Sequence, residues 1–472
     1  MAIKRYKATA DNTIANGYQE NLGTRATGSN MGQADVSEVY SIYGRATTSS
    51  SELSRIITQF DTTTIASDRT AGTIPASGKV NFYLRLYNAE TSKTVPRDFK
   101  LVVEAISRAW TEGDGLDLEN YKDLGVSNWI SASQGVAWTA AGGDYHTTPT
   151  FEQTFETGLE DLDLDITTLV EQWIAGSKTN YGVGVRLTSS VESATTSYYT
   201  KRFFARGTQY FFKKPVIEAR WNSSLQDDRG DFYMSSSLAP AADNLNTLYL
   251  YNYVRGQLTN IPAIGTGELY VDLYETLGGT TLTQVLQTPA TGGYVSPGVY
   301  SCSVGLTGTY STLRDVWYSG STEYFTGTVS PKSFGGTGAS TGNSRYVTNI
   351  KNLRAKYFSE EEARFNVYVR SKNWSPTIYT VASTEIENTI IPSASYRVYR
   401  TLDGLNAIPH GTGSDLQTIL SYDVSGNYFN LDMSLLEPGY EYGIKLAFYD
   451  SQRQSWIEQD QKFLFRVEDY EY

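Results

Sequence analysis

In the run Val80 to Tyr87, the residues Val80, Phe82, Leu84 and Leu86 alternate with Asn81, Tyr83, Arg85 and Tyr87. Successive side chains of a strand point to opposite faces, so a period of two puts the aliphatic set on one face of a sheet. The same alternation recurs in Leu248-Tyr-Leu-Tyr-Asn-Tyr-Val254 and Leu269-Tyr-Val-Asp-Leu-Tyr274. It returns in Phe365-Asn-Val-Tyr-Val-Arg370 and Tyr442-Gly-Ile-Lys-Leu-Ala-Phe448, while Phe99 to Ile106 and Val183 to Leu187 read as further strands. Tyr, Phe and Trp number 36, 18 and 8 against 4 Met. Aromatic side chains suit a half-buried pleated surface better than a helix. The chain reads as all-β.

One segment departs from that period. In Asp165-Ile-Thr-Thr-Leu-Val-Glu-Gln-Trp-Ile-Ala-Gly176, Ile166, Leu169, Val170 and Trp173 share one helical stripe. Asp165 is placed to cap the first turn and Gly176 to end the last, which predicts a single short helix lying on a sheet.

A length of 472 residues leads to an expectation of about three domains. Two breaks divide the chain: the polar stretch Asn222-Ser-Ser-Leu-Gln-Asp-Asp-Arg-Gly-Asp231 and a Gly/Ser/Thr-rich linker over 331–344. The expected domains are therefore 1–221, 231–330 and 345–472. The last two share an echo, in which Ser296-Pro-Gly-Val-Tyr300 parallels Glu437-Pro-Gly-Tyr-Glu-Tyr442. A Pro-Gly turn feeding a Tyr-bearing strand is a corner of immunoglobulin-like sandwiches. The second copy resembles the corner of fibronectin type III domains, so two immunoglobulin/fibronectin-III-like β-sandwiches are expected after the first domain.

Charge argues against nucleic acid. Lys and Arg total 39 and Asp and Glu 51, a net charge of −12, and no basic run is present to displace counterions. The single Cys302 excludes an internal disulfide framework and a Cys-based zinc site, and its place in Val299-Tyr-Ser-Cys-Ser-Val304 reads as a small buried hydrophobe. Met1-Ala-Ile-Lys-Arg-Tyr6 has no apolar signal core, and no apolar stretch reaches the ~18–20 residues of a membrane span. The expectation is a soluble chain made in a cytoplasm, with no membrane partner.

The residues that carry chemistry are sparse. Only His146 and His410 exist, both in loop-like sequence, so multi-His metal sites are excluded. Gly338-Ala-Ser-Thr-Gly342 matches the nucleophile-elbow pattern but lacks the helix that motif requires, and Arg229-Gly-Asp231 spells an adhesion tripeptide inside an expected interdomain turn. In Glu160-Asp-Leu-Asp-Leu-Asp165, the alternation places Asp161, Asp163 and Asp165 on one side of a strand. Carboxylates are ligands that Ca²⁺ favours, which makes these three the candidate metal site, against the alternative of a polar outer strand face. No carboxylate pair stands out for glycosidase chemistry. The expectation is a non-enzymatic protein without a catalytic or cofactor site.

Over about 215 residues the first block resembles the DNRLRE domain. The resemblance rests on Ala10-Asp-Asn-Thr-Ile14, Arg55-Ile-Ile-Thr-Gln-Phe60, Ala109-Trp-Thr-Glu-Gly113, Trp129, Trp138 and Gly142-Gly-Asp144. It continues through the helix Asp165 to Trp173, Asn180-Tyr-Gly-Val-Gly184, Phe203-Phe-Ala-Arg206 and Lys214-Pro215. It departs at Gln59, where that family carries a basic residue. The resemblance implies a jelly-roll-like β-sandwich without catalytic apparatus. The first and third blocks also look like structural proteins of marine tailed bacteriophages, including those of cyanobacteria. The carriers are Met1 to Ile14, Gly28-Ser-Asn-Met-Gly32, Ile391-Pro-Ser-Ala-Ser-Tyr-Arg-Val-Tyr399, Ser421 to Phe429 and Asp432 to Tyr440. This implies a virion component at the neck, tail or fibre, assembled in the host cytoplasm with other virion proteins and forming a homo-oligomer. The alternatives are a capsid decoration protein and a receptor protein gripping host surface glycan with exposed aromatics.

Overall fold

The computed structural model describes residues 2–19, 21, 23–45, 50–91, 95–116, 126–194, 198–332, 346–372 and 388–470. The chain is mostly β, as the alternation predicts, and it divides into two compact units, Ala2–Asn222 and 223–472. Among the described residues no helix is long and apolar enough to cross a membrane.

The N-terminal unit is organised by one long strand, Ile3–Ala15. Ile3 to Lys7 pair antiparallel with Val216–Arg220, the register then shifts between Ala8 and Ala10, and the remainder pairs with Ser50–Phe60. A shift of this kind bends a strand, and here it lets one strand serve two sheets. The first sheet continues through Asn81–Leu86 to Leu162–Asp165. The second runs from Ser50–Phe60 through Val183–Leu187 and Phe99–Ile106 to Tyr145–Phe155. Val36–Arg45 and Tyr198–Phe204 extend it from the start of Ser50–Phe60.

Phe82, Leu84 and Leu86 are all at most 2% exposed and meet Ile56, Phe60, Leu101, Val103 and Val185 in one core. Full burial of such side chains stabilises by about 1.5–3 kcal/mol each. The predicted helix spans Thr167–Ile174 and buries Leu169, Val170 and Trp173 on that core. Gly176 has φ +70° and stands just past the last turn as expected, while the N-cap falls one residue later than expected, at Ile166, with Asp165 just outside it accepting the Thr167 N–H at 2.9 Å.

The expectation of a single helix needs correction. Thr62–Thr70 is a second helix, capped by Asp61, and Ser189–Glu192 forms a further short turn. The Thr62–Thr70 helix buries only Ile65, so it carries no apolar stripe for periodicity to reveal. It is held by the Arg69–Glu171 pair, at 2.6 and 2.7 Å, which joins it to the first helix.

In the C-terminal unit, six antiparallel strands follow the order Asn246–Tyr251, Val299–Val304, Ala290–Ser296, Leu269–Tyr274, Leu313–Ser319, Thr322–Val329. Leu248, Leu250, Leu269, Val271 and Leu273 point inward with Tyr300, Cys302 and Trp317, while Tyr249, Tyr251, Tyr270 and Tyr274 take the other face. Asp228 to Tyr233 lie along both edges of this sheet. Thr247 N–H donates to Asp228 on one side, and Ser330 N–H donates to the Arg229 carbonyl on the other. Phe232–Tyr233 also pairs in parallel with Pro331–Lys332. The expected linker over 331–344 thus begins inside a small sheet; 333–345, with the Gly338–Gly342 motif, lie outside the described residues.

Beyond Lys332, the described residues of this unit form two sheets. One holds Tyr346–Ile350, Glu362–Ser371, Gly426–Asp432 and Ser421–Asp423. The other holds Lys356–Phe358, Phe463–Glu468, Glu441–Asp450, Ala394–Arg400 and Asn406–Ile408, with Ser455–Glu458 added beside Glu441–Asp450. Their rings interlock: Phe429 stacks on Tyr396 at 4.1 Å and on Phe365 at 5.1 Å, and Tyr357 meets Phe465 edge-on at 5.5 Å.

Candidate functional site

The three carboxylates predicted to gather a cation lie where the alternation puts them, yet each is committed elsewhere. Asp161 accepts the Asn88 N–H at 2.7 Å. Asp163 takes Arg220 Nη2 on both oxygens, at 2.9 and 3.0 Å. Asp165 accepts the Thr167 N–H and hydroxyl at 2.9 and 2.6 Å. Residues two apart on a strand are separated by about 6.5 Å along it, so convergence needs a loop that these residues do not form. Among the described residues no group of three or more His, Cys, Asp or Glu is arranged to hold a metal ion.

The other candidates are also displaced. The Arg229–Asp231 tripeptide is not displayed, since the side chains of Arg229 and Asp231 are 11% and 5% exposed. His146 lies within the strand Tyr145–Phe155 and not in a loop. His410 does follow a strand end, but it is half-buried, with Nδ1 3.1 Å from Ser395 Oγ. Burial holds both imidazoles below their ordinary value. Cys302 is buried, and burial pushes its thiol up to about 12.

Among the polar junctions of the described residues, two gather the residues singled out from the sequence. In the N-terminal unit the motif residues, scattered over nearly two hundred positions, meet at one place. Asp11 is 1% exposed; its N–H donates to Glu112 at 2.9 Å and its carboxylate accepts the Arg206 N–H at 2.6 Å. The Arg206 guanidinium then donates to both Glu112 oxygens at 2.8 Å. Beside it Asn12 donates to Ser127 and accepts from the Met31 N–H, while Asn30 accepts from the N–H groups of Gly32 and Gly115. Gly113 is required by the close approach, because a Cβ there would lie 1.9 Å from Asn30 Oδ1. Burial raises the Asp11 carboxyl to about 6, against the pull of the Arg206 N–H.

This junction pins the stretch that carries the tryptophans onto the outer face of the second sheet, over Ile14, Ile57 and Ile106. Trp129 and Trp138 are 6% and 5% exposed there. Trp110 Nε1 donates to the Tyr181 carbonyl and Trp138 Nε1 to the Asn128 carbonyl, both at 2.8 Å. Arg55 lies over the Trp129 ring and is paired with Glu192 at 2.7 Å.

The second junction lies in the C-terminal unit, in the polar stretch expected to be an interdomain break. Leu225 to Asp227 run alongside Tyr422: the Asp227 N–H donates to the Tyr422 carbonyl and the Tyr422 N–H to the Leu225 carbonyl, both at 3.0 Å. The Tyr422 hydroxyl reaches Asp228 at 2.7 Å. Arg229 Nη1 donates to Asp315 at 2.6 Å and Nη2 to the Tyr249 carbonyl at 3.0 Å. Asp315 is fully buried, and its other oxygen accepts the Trp317 indole at 2.8 Å. Burial lifts the Asp227 carboxyl to about 6 and also raises Asp228 and Tyr422. Four residues thus fasten the six-stranded sheet to the strand Ser421–Asp423. Composition marked the segment as polar, but only its partners, nearly 90 and 200 positions away, show what the charges do.

No family model matches the chain, and no curated protein matches it. Among solved structures, the Yersinia pseudotuberculosis adhesin InvE is 9% identical over 50% of this chain and 57% of its own, with a TM-score of 0.16. The E. coli alpha-2-macroglobulin is 9% identical over 92% of this chain and 20% of its own, also at 0.16. The titin domains z1z2 are 12% identical over 48% and 89%, at 0.13. Similarity at this level carries no argument about fold or function.

Proposed function

We propose that this chain is a non-enzymatic structural component of a tailed-phage virion, a neck-, tail- or fibre-associated protein that docks on neighbouring virion proteins through its β-sheet faces. The observation that carries the reading is the fate of the aromatic and charged groups. Trp129, Trp138, Trp173, Trp221 and Trp317 are all buried, and the buried carboxylates Asp11, Glu218 and Asp315 are each joined to arginine or to its backbone. Groups that grip a sugar or turn over a substrate stand at an accessible surface, whereas these fasten one element to another.

In this reading the N-terminal unit is a jelly-roll-like sandwich, as its motif residues imply, and the last block is fibronectin-III-like. The Tyr442 hydroxyl supports the latter, donating at 2.7 Å to the carbonyl of Glu437 five residues upstream, the bond that defines a tyrosine corner. Tyr-rich outer faces suit assembly, since Tyr offers buried area with a polar tip.

A second reading, glycan recognition, draws on one place. The rings of Tyr270 and Tyr318 lie 6.0 Å apart on the outer face of the six-stranded sheet, next in register to Asp272. An electron-microscopy reconstruction of the intact particle, with this chain traced in it, tests both. Density at the neck, tail or fibre root with protein on the sheet faces is the expected result. A distal position with Tyr270 and Tyr318 free would overturn it in favour of glycan binding.

A further inference from the structure

Lys201 stands on the strand Tyr198–Phe204 and is 2% exposed. A buried ammonium ordinarily sits against a carboxylate. This one meets three neutral acceptors instead: Asn88 Oδ1 at 2.7 Å, the Gly158 carbonyl at 2.8 Å and the Glu160 carbonyl at 2.7 Å. The rings of Phe155 and Phe203 each lie 5.1 Å from Nζ. Burial lowers the lysine to about 8, against the opposing charges of Glu160 and Asp161, so the neutral, nucleophilic amine is within reach near neutral pH.

The partner is held just as firmly. The Asn88 N–H is fixed by Asp161 at 2.7 Å, and its backbone is bridged to Phe203. Its carboxamide carbon is one C=O bond beyond the oxygen that Nζ touches. A cavity of about 140 Å³, lined in part by Asn88, Gly158 and Lys201, adjoins the contact.

We propose that Lys201 and Asn88 become joined by an intramolecular isopeptide bond between Nζ and Cγ. The ammonium loses one proton to solvent through the adjoining cavity, and the neutral amine adds to Asn88 Cγ. The added nitrogen passes its surplus proton to the carboxamide nitrogen, the original C–N bond breaks, and ammonia leaves through the cavity. One amide replaces another with release of ammonia, so no oxidant or co-reactant is needed. The desolvated aromatic pocket and the fixed contact supply the proximity that makes an unreactive amide a substrate. The bond ties positions 113 residues apart in a chain whose single cysteine leaves no internal disulfide, which suits a protein that bears load.

Intact mass spectrometry of the full chain under denaturing conditions tests this. The expected mass is lower than that of the sequence by one ammonia, and a protease digest yields one branched peptide carrying both Asn88 and Lys201. Lys201→Met and Asn88→Ala restore the full sequence mass. A wild-type chain of full mass with linear peptides overturns the proposal. So does ammonia loss that persists in Lys201→Met, because that would be succinimide formation at an asparagine. The wild-type digest decides even if neither variant folds.

Discussion

Replacing Arg229 with methionine removes the cation that faces Asp315 while keeping most of the side chain's apolar length. Asp315 has no exposed surface, and the 2.6 Å bond from Arg229 is its only ion pair among the described contacts. Its second oxygen keeps the Trp317 indole, so the carboxylate is left half-satisfied rather than bare. Breaking a buried pair from one side costs about 3–5 kcal/mol. The Tyr249 carbonyl also loses its donor from Arg229, which adds about 1 kcal/mol. A total near 4 kcal/mol corresponds to a melting-point drop of roughly 8–16 °C for a unit of this size. Urea unfolding followed by the fluorescence of Trp317, which hydrogen-bonds Asp315, would report it. The double variant Arg229→Met, Asp315→Leu should recover most of the loss, since replacing both partners with apolar groups is close to neutral. A single-variant cost below about 1 kcal/mol would refute the assignment of this pair as the keystone that fastens Asp228 to Tyr233 on the six-stranded sheet.

Four further outcomes follow from the same structure. Asp227 and Asp11 have carboxyls raised to about 6, so the folded state holds protons that the unfolded state releases. Stability should therefore fall as pH rises from about 4 to about 6; Asp227→Asn should flatten that slope and stabilise the chain by about 1–2 kcal/mol at pH 7, measured by urea titration across pH. Tyr442→Phe should cost about 1 kcal/mol by removing the bond to the Glu437 carbonyl, seen as a shift in the urea midpoint without a change in slope. Gly113→Ala drives a Cβ against Asn30 and should destabilise by about 1–3 kcal/mol, with tryptophan emission shifting red as the stretch bearing Trp129 and Trp138 loosens. Cys302, buried and with its thiol up near 12, should resist a thiol reagent in the native state and react at a rate that tracks opening of the sheet.

Strand identity was legible because burial on one face writes itself into the chain at a period of two. Val80 to Leu86 and Leu248 to Tyr251 show it, with every second residue buried as expected. The Thr167–Ile174 helix was legible for the same reason at its own period. The Thr62–Thr70 helix was not, since one buried residue cannot make a stripe and its hold on the fold is the distant Glu171. The acidic alternation at Asp161, Asp163 and Asp165 marked a polar edge whose carboxylates each meet a protein partner. Its outcome was set by Asn88, Arg220 and Thr167, of which only Thr167 is a sequence neighbour.

Local pattern, then, dictated the β class, the exclusion of a disulfide framework and the place of Cys302 in a core. Those properties depend on nearest-neighbour geometry and on counts, which a linear chain displays in full. Partnership among charges belonged to the tertiary fold alone. Whether Arg229 is an adhesion residue or a keystone, and whether Lys201 is a solvated strand end or a buried amine against Asn88, depends on which distant backbone arrives beside it. A charge reads the same in any linear context, and its energy is decided by the dielectric and the partners that folding brings within 3 Å.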